Sequence, residues 1–413
     1  MVGLRPALGA AFFAFIIQHP LADARPITLT EAFDAAERSP ALGAAAAFVD
    51  EARGNVEQAG AYTYNPSIGV SGGPSFGPGG TLYEIDIGIN QPIELGGKRG
   101  ARRRAATAER DAASETLTAT RAELLAEVRR AFEIALVAGE RVKVTRANEV
   151  TARELRAAAT ERLSLGAATQ TEVNVAAAGL GRAVASTKAA EREVLLARQA
   201  LGDVLGIVGA DLEPSGSLPT FPSVARTEDQ LVGAALAARR DLAAAERVRI
   251  ARGAQVDLAD SLAVPDPELS VSWVRSAVED TNAVIVGLRV EIPLWNRNQG
   301  NRRSARAAQR RVTIETEAMR RDVEREVRTG ARRYRAATEA VAAFDQQVVG
   351  TLAENLELAR ETMAAGKLGL LELNAVRRDL VESQLTYLDA VAEAVESRAA
   401  LEVALGRSLE SKP

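Results

Sequence analysis

Residues 82–90 read LYEIDIGIN. After Leu82, an apolar side chain at every second position alternates with a polar residue or glycine. A period of two is typical of a β-strand with one apolar and one polar face. The other stretches that follow this alternation are residues 68–70, 269–273 and 284–292. The sequence therefore predicts four strands in two hairpins, at about 66–92 and 267–293, with the first tip at 72–80.

Long helices are predicted to follow each β-hairpin. Proline is absent from residues 93–213 and from residues 294–412, and both stretches are rich in residues that favour helices. The main interruptions lie at Gly166 and Gly366, and glycine is typical of a helix end where the chain turns back. We therefore expect helical hairpins at about 98–206 and 298–406, each half also having a helix before its strands. Arms on the order of 100 Å long must pack lengthwise on neighbours.

The two halves of the chain repeat one another. Residues 165–174 match residues 365–374, and residues 91–93 (QPI) match residues 292–294 (IPL). The order of these matches indicates an internal duplication. The predicted parts are a first repeat at 25–208, a linker containing prolines at 209–225, a second repeat at 226–407 and a tail at 408–413.

The N-terminus predicts export. Arg5 precedes an apolar run at residues 7–17, and Ala22-Asp23-Ala24 follows as a small-residue cleavage pattern. These are the parts of a secretory signal peptide, which we assign to residues 1–24. The alternative is a buried N-terminal helix.

Composition excludes several classes of site. The chain of 413 residues has no cysteine, and its only histidine, His19, lies in the predicted signal peptide. Disulfides, zinc fingers and most hydrolase triads are therefore excluded from the mature chain. Residues 96–99 (GGKR) lack the spacing of a phosphate loop. We predict no catalytic residues, no cofactor, no metal site and no enzyme activity, and the net charge of −4 argues against nucleic acid as a partner.

The number of strands bears on the environment of the sheet. The alternation suits a soluble sheet with one wet face, and it equally suits an outer-membrane barrel. Four strands cannot close a barrel, because eight is the smallest number in bacterial outer-membrane proteins. An open strand edge is not tolerated in lipid. If the strands lie in a membrane, several chains must therefore contribute to one barrel, and a wide tube favours three.

The chain resembles the TolC family of outer-membrane efflux proteins. Residues 91–99 (QPIELGGKR), residues 292–300 (IPLWNRNQG), the hairpin tips and the duplication carry the resemblance. Within that family, the chain is similar to the CzcC-like outer-membrane components of heavy-metal (cobalt–zinc–cadmium) efflux systems.

The resemblance implies a mainly α-helical homotrimer with a transmembrane β part. Four strands from each subunit form a shared 12-stranded barrel in the outer membrane of a Gram-negative bacterium, in contact with its lipid. The helices continue as a periplasmic α-helical barrel. Implied partners are a periplasmic adaptor and an inner-membrane pump of the resistance–nodulation–division (RND) type. The implied function is a conduit for divalent heavy-metal cations. The alternatives are the same conduit for drugs or secreted polypeptides and, more remotely, an exported structural coiled coil.

Two glutamates are candidates for the periplasmic entrance. In the family, acidic residues narrow the tunnel near the tips of the helical hairpins, and Glu172 and Glu372 occupy such positions after Gly166 and Gly366. A ring of carboxylates favours cations. The alternative is that both glutamates lie on solvated helix faces. The candidates for adaptor contact at the tips are Arg162, Leu163, Ser164, Gly166, Gly366 and Lys367.

Charged residues mark two further places. On the polar side of the strands, the candidates for the barrel lumen are Glu84, Asp86, Glu268, Arg289 and Glu291. Cations also crowd the first turns of the long helices, where the helix dipole disfavours them. The members of this predicted basic belt below the barrel are Lys98, Arg99, Arg102, Arg103, Arg302 and Arg303. Phosphate head groups of the periplasmic leaflet and carboxylates of neighbouring helices are the two alternative partners.

Overall fold

The computed structural model describes residues 25–77, 80–207, 212–276, 280–344, 354–355, 358–359, 361–362, 367 and 369–409. The predicted signal peptide and Gly366 lie outside these ranges. The described helices are α1 (Leu29–Ala36), α2 (Pro40–Gly60), α3 (Lys98–Ser164), α4 (Gln170–Leu205), α5 (Glu228–Ala238), α6 (Arg240–Ser261), α7 (Gln299–Ala343) and α8 (Leu370–Leu405). The strands are β1 (Arg25–Ile27), β2 (Ser67–Gly77), β3 (Gly80–Pro92), β4 (Leu212–Pro214), β5 (Pro267–Ser276) and β6 (Thr281–Val290).

The four long strands form one antiparallel sheet in the order β2-β3-β5-β6. Ile87 lies opposite Val70 of β2 and Trp273 of β5, and Trp273 lies opposite Val284 of β6. Because side chains alternate along each strand, this register places most of the apolar residues of the four strands on one face. Serine, glycine and charged residues make up most of the other face, where Val274, Ala283 and Ile285 are apolar exceptions.

Strand β2 is longer than the sequence analysis expected. Residues 72–77 were assigned to the tip of the first hairpin, and this was wrong, because β2 runs to Gly77 with Pro74 opposite Tyr83. The sheet order places β2 at an edge. Proline is tolerated in an edge strand because its missing N–H can face away from the ladder.

The helices continue the order of the strands. Helix α2 packs on α3, α3 on α6 and α6 on α7. Helix α3 has 67 residues, a length of about 100 Å. None of the described helices has both the length and the apolar character required to cross a bilayer.

Contacts near the middle of helix α3 join the first repeat to the second repeat and to the linker. Strand β1 pairs in parallel with β4, and each repeat ends its second long helix in a left-handed glycine, Gly206 or Gly406. The buried guanidinium of Arg398 in α8 pairs with the buried carboxylate of Glu133 in α3. Its Nη1 also donates to the carbonyl oxygen of Thr220 in the linker. These contacts hold α8, α3 and the linker together below the sheet.

Candidate channel site

The polar face of the sheet carries four of the five predicted lumen residues. Glu84 lies between Gly73 of β2 and Ser276 of β5, and Asp86 lies between Ser71 of β2 and Val274 of β5. Glu268 and Arg289 lie opposite each other across β5 and β6, with 3.4 Å between Oε1 and Nη1. The fifth residue, Glu291, follows the end of β6 and lies outside the strand. Within the described ranges, no group of three or more acidic, histidine or cysteine side chains is arranged to hold a metal ion.

The opposite face of the sheet is apolar and uncovered. Val70 is 70% exposed, Val286 is 68% exposed and Leu288 is 70% exposed. Soluble monomers do not expose a continuous apolar patch of this kind unless it meets a partner or a membrane. A sheet that is apolar on one face and polar on the other is the pattern of an outer-membrane barrel, with lipid outside and water inside.

A tight turn connects β3 to α3. Gly96 and Gly97 both have φ of +69°, in the left-handed region that glycine enters without strain. A Cβ atom on Gly96 would lie 2.7 Å from Cβ of Val264 in the loop before β5. Gly97 has open space around it and serves as the N-cap of α3. The glycine pair therefore allows the chain to turn from strand to helix while the second repeat packs closely on it.

Lys98 and Asp266 form the polar centre of this junction. Nζ of Lys98 lies 2.7 Å from Oδ2 of Asp266, and the two side chains are only 8% and 11% exposed. Asp266 also accepts hydrogen bonds from the backbone N–H of Leu95 (2.9 Å) and the hydroxyl of Tyr64 (3.1 Å). Burial alone would raise the pKa of Asp266, but the hydrogen bonds from Lys98, Leu95 and Tyr64 outweigh it and hold the pKa below its ordinary value. The aspartate is therefore ionised and fully bonded.

The predicted basic belt divides into two groups. Lys98 pairs with Asp266, Arg102 pairs with Glu94, and Arg302 pairs with Asp260. The hydrogen bond from Arg102 lowers the pKa of Glu94 against the effect of burial. All three cations have carboxylate partners, but only Asp260 lies on a neighbouring helix, as that alternative expected, whereas Glu94 and Asp266 lie in the loops beside the strands.

The second group of the belt is Arg99, Arg103 and Arg303, which have no carboxylate partner among the described residues. Arg99 donates from Nε to the carbonyl oxygen of Gly60, at 2.7 Å. Arg103 and Arg303 are exposed and form no ion pair within the described part of the chain. Contact with lipid phosphate stays a prediction for these three arginines.

The tip of the first helical hairpin is described in full. Gly166 has φ of +73°, and the chain reverses there between α3 and α4. Arg162 donates to the carbonyl oxygen of Ala167, and Ser164 donates to that of Glu161. Leu165 is 74% exposed, so the tip also presents an apolar side chain. In the second tip, Lys367 is exposed and its backbone N–H donates to the carbonyl oxygen of Thr362.

The two entrance candidates have the same local role in the structure. Glu172 accepts from the backbone N–H of Thr169 at 2.6 Å, and Glu372 accepts from that of Gly369 at 3.1 Å. Each glutamate thus completes the N-terminal cap of its helix. Hydrogen bonds from the backbone and the hydroxyl of Thr169 lower the pKa of Glu172. Both carboxylates are thereby held at the N-terminal ends of α4 and α8, and their place at the channel entrance stays a prediction.

A buried arginine close to this end was not found from the sequence. Arg377 of α8 donates to the amide oxygens of Asn148 in α3 and Asn374 in α8. Burial, and the like charge of Arg182, lower the pKa of Arg377. With Glu172 it lines a small cavity between α3, α4 and α8. Arg377 is followed directly by another arginine in the sequence, and nothing in that pattern distinguishes the buried residue from the exposed one.

Comparison with known proteins gives a consistent assignment. A family model described as outer membrane efflux protein matches residues 33–207 and again residues 231–407. The cobalt-zinc-cadmium resistance protein CzcC of Cupriavidus metallidurans is 28% identical over 321 residues, which are 77% of this chain and 76% of CzcC.

Solved structures share the fold. CusC superimposes with a TM-score of 0.74 at 20% identity, over 92% of both chains. The outer membrane protein VceC of Vibrio cholerae superimposes with a TM-score of 0.72 at 21% identity, over 92% of this chain and 97% of VceC. The predicted TolC-like fold with an internal duplication is confirmed. With a two-faced sheet and both halves matched by one family model, the chain belongs to the outer membrane efflux protein family, located in the outer membrane with its helices extending into the periplasm.

Proposed function

We propose that three copies of this chain form the exit channel of a tripartite efflux system. The observation that supports this most directly is the four-stranded sheet, which has one apolar and one polar face. Its edge strands are β2 and β6, and on the outer side of each no described strand is paired with it. Such edges are not stable in lipid, so further copies of the same sheet must complete a barrel. The chain is a conduit and not an enzyme.

Three copies fit better than two. A barrel of eight strands is filled by its own side chains, and it would leave no passage. Three sheets give twelve strands and a wider lumen. The helices follow the strand order, so they would continue as a periplasmic tunnel whose wall is α2, α3, α6 and α7 of each copy. A periplasmic adaptor would dock at the hairpin tips, around Leu165 and Lys367, and an inner-membrane RND pump would supply cargo and energy.

Divalent heavy-metal cations are the proposed cargo. The resistance protein CzcC supports this through its likeness over most of its length, and the carboxylates on the polar face support it through their charge. Weak carboxylate contacts suit a conduit, because the cargo must leave as readily as it enters. Glu172 and Glu372 would add a ring of carboxylates at the entrance. Drugs and secreted polypeptides are the alternative cargoes.

A deletion strain tests the cargo. Its growth is compared with that of the parent on zinc, cobalt, cadmium, nickel, copper and silver salts, and on dyes, detergents and antibiotics. Sensitivity confined to divalent metals and reversed by the intact gene is the expected result. Sensitivity to drugs and detergents alone would contradict the metal cargo while leaving the channel in place. Native mass spectrometry of the purified protein tests the trimer separately.

A further inference from the structure

The duplication gives this chain two copies of one strand–helix junction. Four pairs of residues occupy corresponding positions in the two junctions, and the same number of residues separates the two members of every pair. The C-caps of α2 and α6 are Ala61 and Leu262, and the N-caps of α3 and α7 are the left-handed residues Gly97 and Asn298. The remaining pairs are Pro66 with Pro267 and Pro92 with Pro293. Residues of one junction can therefore be assigned counterparts in the other.

The first junction is complete within the chain. The turn after β3 packs against the loop that joins α6 to β5, so the second repeat covers the first. Lys98 meets Asp266 there, the backbone N–H of Ile93 donates to the carbonyl oxygen of Pro267 at 2.8 Å, and Val264 lies against Gly96. Lys98 is buried as a result. Strand β3 continues to Pro92 because β5 pairs with it there, beyond Asn90, where its pairing with β2 ends.

The second junction is complete on one side only. Strand β6 ends at Val290, short of Pro293, the counterpart of Pro92. Gln299, the counterpart of Lys98, is exposed, and its side chain bonds to the backbone of Trp295 and Arg297 in its own turn. Trp295 itself is 86% exposed, whereas the side chain of its counterpart Glu94 is 5% exposed. The loop corresponding to the one that holds Asp266 is residues 61–66, where Asn65 corresponds to Asp266.

That loop cannot close the second junction within the same chain. It leads into β2, which lies three strand spacings from β6 across the sheet, about 14 Å at 4.8 Å per spacing. Asn65 is exposed there. We propose that the loop at residues 61–66 of a second copy fills the open junction, so that Asn65 of the partner subunit lies beside Gln299. This inference rests on the proposed trimer. It adds the residues at the contact where one junction is closed by a loop, which we call the seam.

The two junctions differ in charge. This difference determines which junction is filled by the loop that holds Asp266 and which is filled by the loop at residues 61–66. The seam within the chain joins a cation to an anion, Lys98 to Asp266. The seam between chains joins two neutral amides, Gln299 and Asn65 of the partner subunit. If the loops exchanged places, buried Lys98 would face an amide and Asp266 would face Gln299, leaving both charges unpaired. Because an unpaired buried charge is strongly unfavourable, the exchanged arrangement is disfavoured. The ring of subunits therefore closes by bringing β6 of one copy beside β2 of the next.

Site-directed cross-linking tests the seam, and the chain is suited to it because it has no cysteine. The double variant Asn65→Cys with Gln299→Cys is assembled in vesicles and treated with a short bis-maleimide. Covalent dimers and trimers on a denaturing gel are expected, while each single variant stays monomeric. The matched control, Lys98→Cys with Asp266→Cys, is expected to give only an internally linked monomer.

The outcomes separate the seam from the trimer. If native mass spectrometry gives three chains but the double variant yields no covalent oligomer, the proposed seam is wrong and the trimer stands. If the uncross-linked protein has no trimer mass, the proposed function fails first. If the control pair links different chains, the assignment of the two junctions is reversed.

Discussion

Lys98 and Asp266 form a buried ion pair, 2.7 Å between Nζ and Oδ2, that ties the first turn of helix α3 to the residue before strand β5. It connects the two repeats at the level where strands become helices. Residues that restrict or free the backbone lie beside both members of the pair. Two glycines precede Lys98, and a proline lies on each side of Asp266. The pair therefore joins the first repeat to the second where the sheet meets the helices.

Replacing Asp266 should destabilise the protein. Asp266→Asn leaves Lys98 buried without its carboxylate, and breaking a buried pair in this way costs about 3–5 kcal/mol. The free energy of unfolding is measured by urea titration of the protein in detergent. The control is Asp50→Asn, which breaks an exposed pair with Arg53 and should change the free energy by about 0–1 kcal/mol. Equal losses in the two variants would show that the Lys98–Asp266 pair contributes no more than a surface contact.

The same pair predicts a pH dependence. The pKa of Asp266 is lowered in the folded protein, so the unfolded chain binds the proton more tightly, and its ordinary pKa is about 3.9. The stabilisation is therefore complete above that value and is lost as the pH falls through the lowered pKa. The difference in unfolding free energy between the native chain and Asp266→Asn should be constant from about pH 7 to 5 and narrow below about pH 4. A difference that stays constant through acid pH would exclude Asp266 as the titrating group.

The two neighbouring glycines should respond differently to alanine. Gly97→Ala adds a Cβ in open space at positive φ, at a cost of about 1–2 kcal/mol. Gly96→Ala has the same backbone cost and also meets Val264, which adds about 1–3 kcal/mol of overpacking. Thermal unfolding compares the variants. Val264→Gly removes all three contacting atoms of Val264, so Gly96→Ala should cost less in that background than in the native chain. An equal cost in both backgrounds would mean that the close contact is not its cause.

Charge and capping can be separated at Glu172 and Glu372. Glutamine can still complete an N-terminal capping box, so Glu172→Gln with Glu372→Gln removes the charge and keeps the helix starts. If these carboxylates form the entrance ring, the double variant should lose part of its cation preference in planar-bilayer recordings. Its thermal midpoint should fall by less than that of the alanine variant, because the amide keeps the cap and loses only the charge. Alanine at both positions should lower both quantities. Unchanged ion preference in the glutamine variant would restrict the two residues to capping.

The unpaired part of the basic belt should matter in membranes with anionic lipid. Arg103→Glu with Arg303→Glu reverses two exposed charges, and each basic residue near such a surface contributes about 1 kcal/mol of attraction. Assembly yield is measured in vesicles with and without phosphatidylglycerol. The loss should appear only with the anionic lipid. Arg102→Glu serves as the control, because it breaks the pair with Glu94 and should lower stability in both kinds of vesicle. An equal yield of the double variant in both vesicles would rule out lipid contact.

The sequence was sufficient where the signal is local. The alternation at residues 82–90 predicts a strand because neighbouring side chains in a strand point to opposite faces, and β3 contains that stretch. The proline-free stretches and Gly166 predict long helices that turn back, as α3 and α4 do. The tip at residues 72–80 was wrong because glycine and proline suggest a turn, while the edge position of β2 tolerates both.

Other features depend on residues that are distant in the chain. The partner of Lys98 follows from the pairing of β3 with β5, and no local period encodes that choice among many acidic residues. Burial of Arg377 likewise depends on how α3, α4 and α8 meet. By itself, the sequence determined the elements, their duplication and the two-faced sheet, since helix and strand periods are set by adjacent residues. Only the tertiary structure decided which charges pair across the repeats and which junction is left open, because strand order and register bring distant residues together.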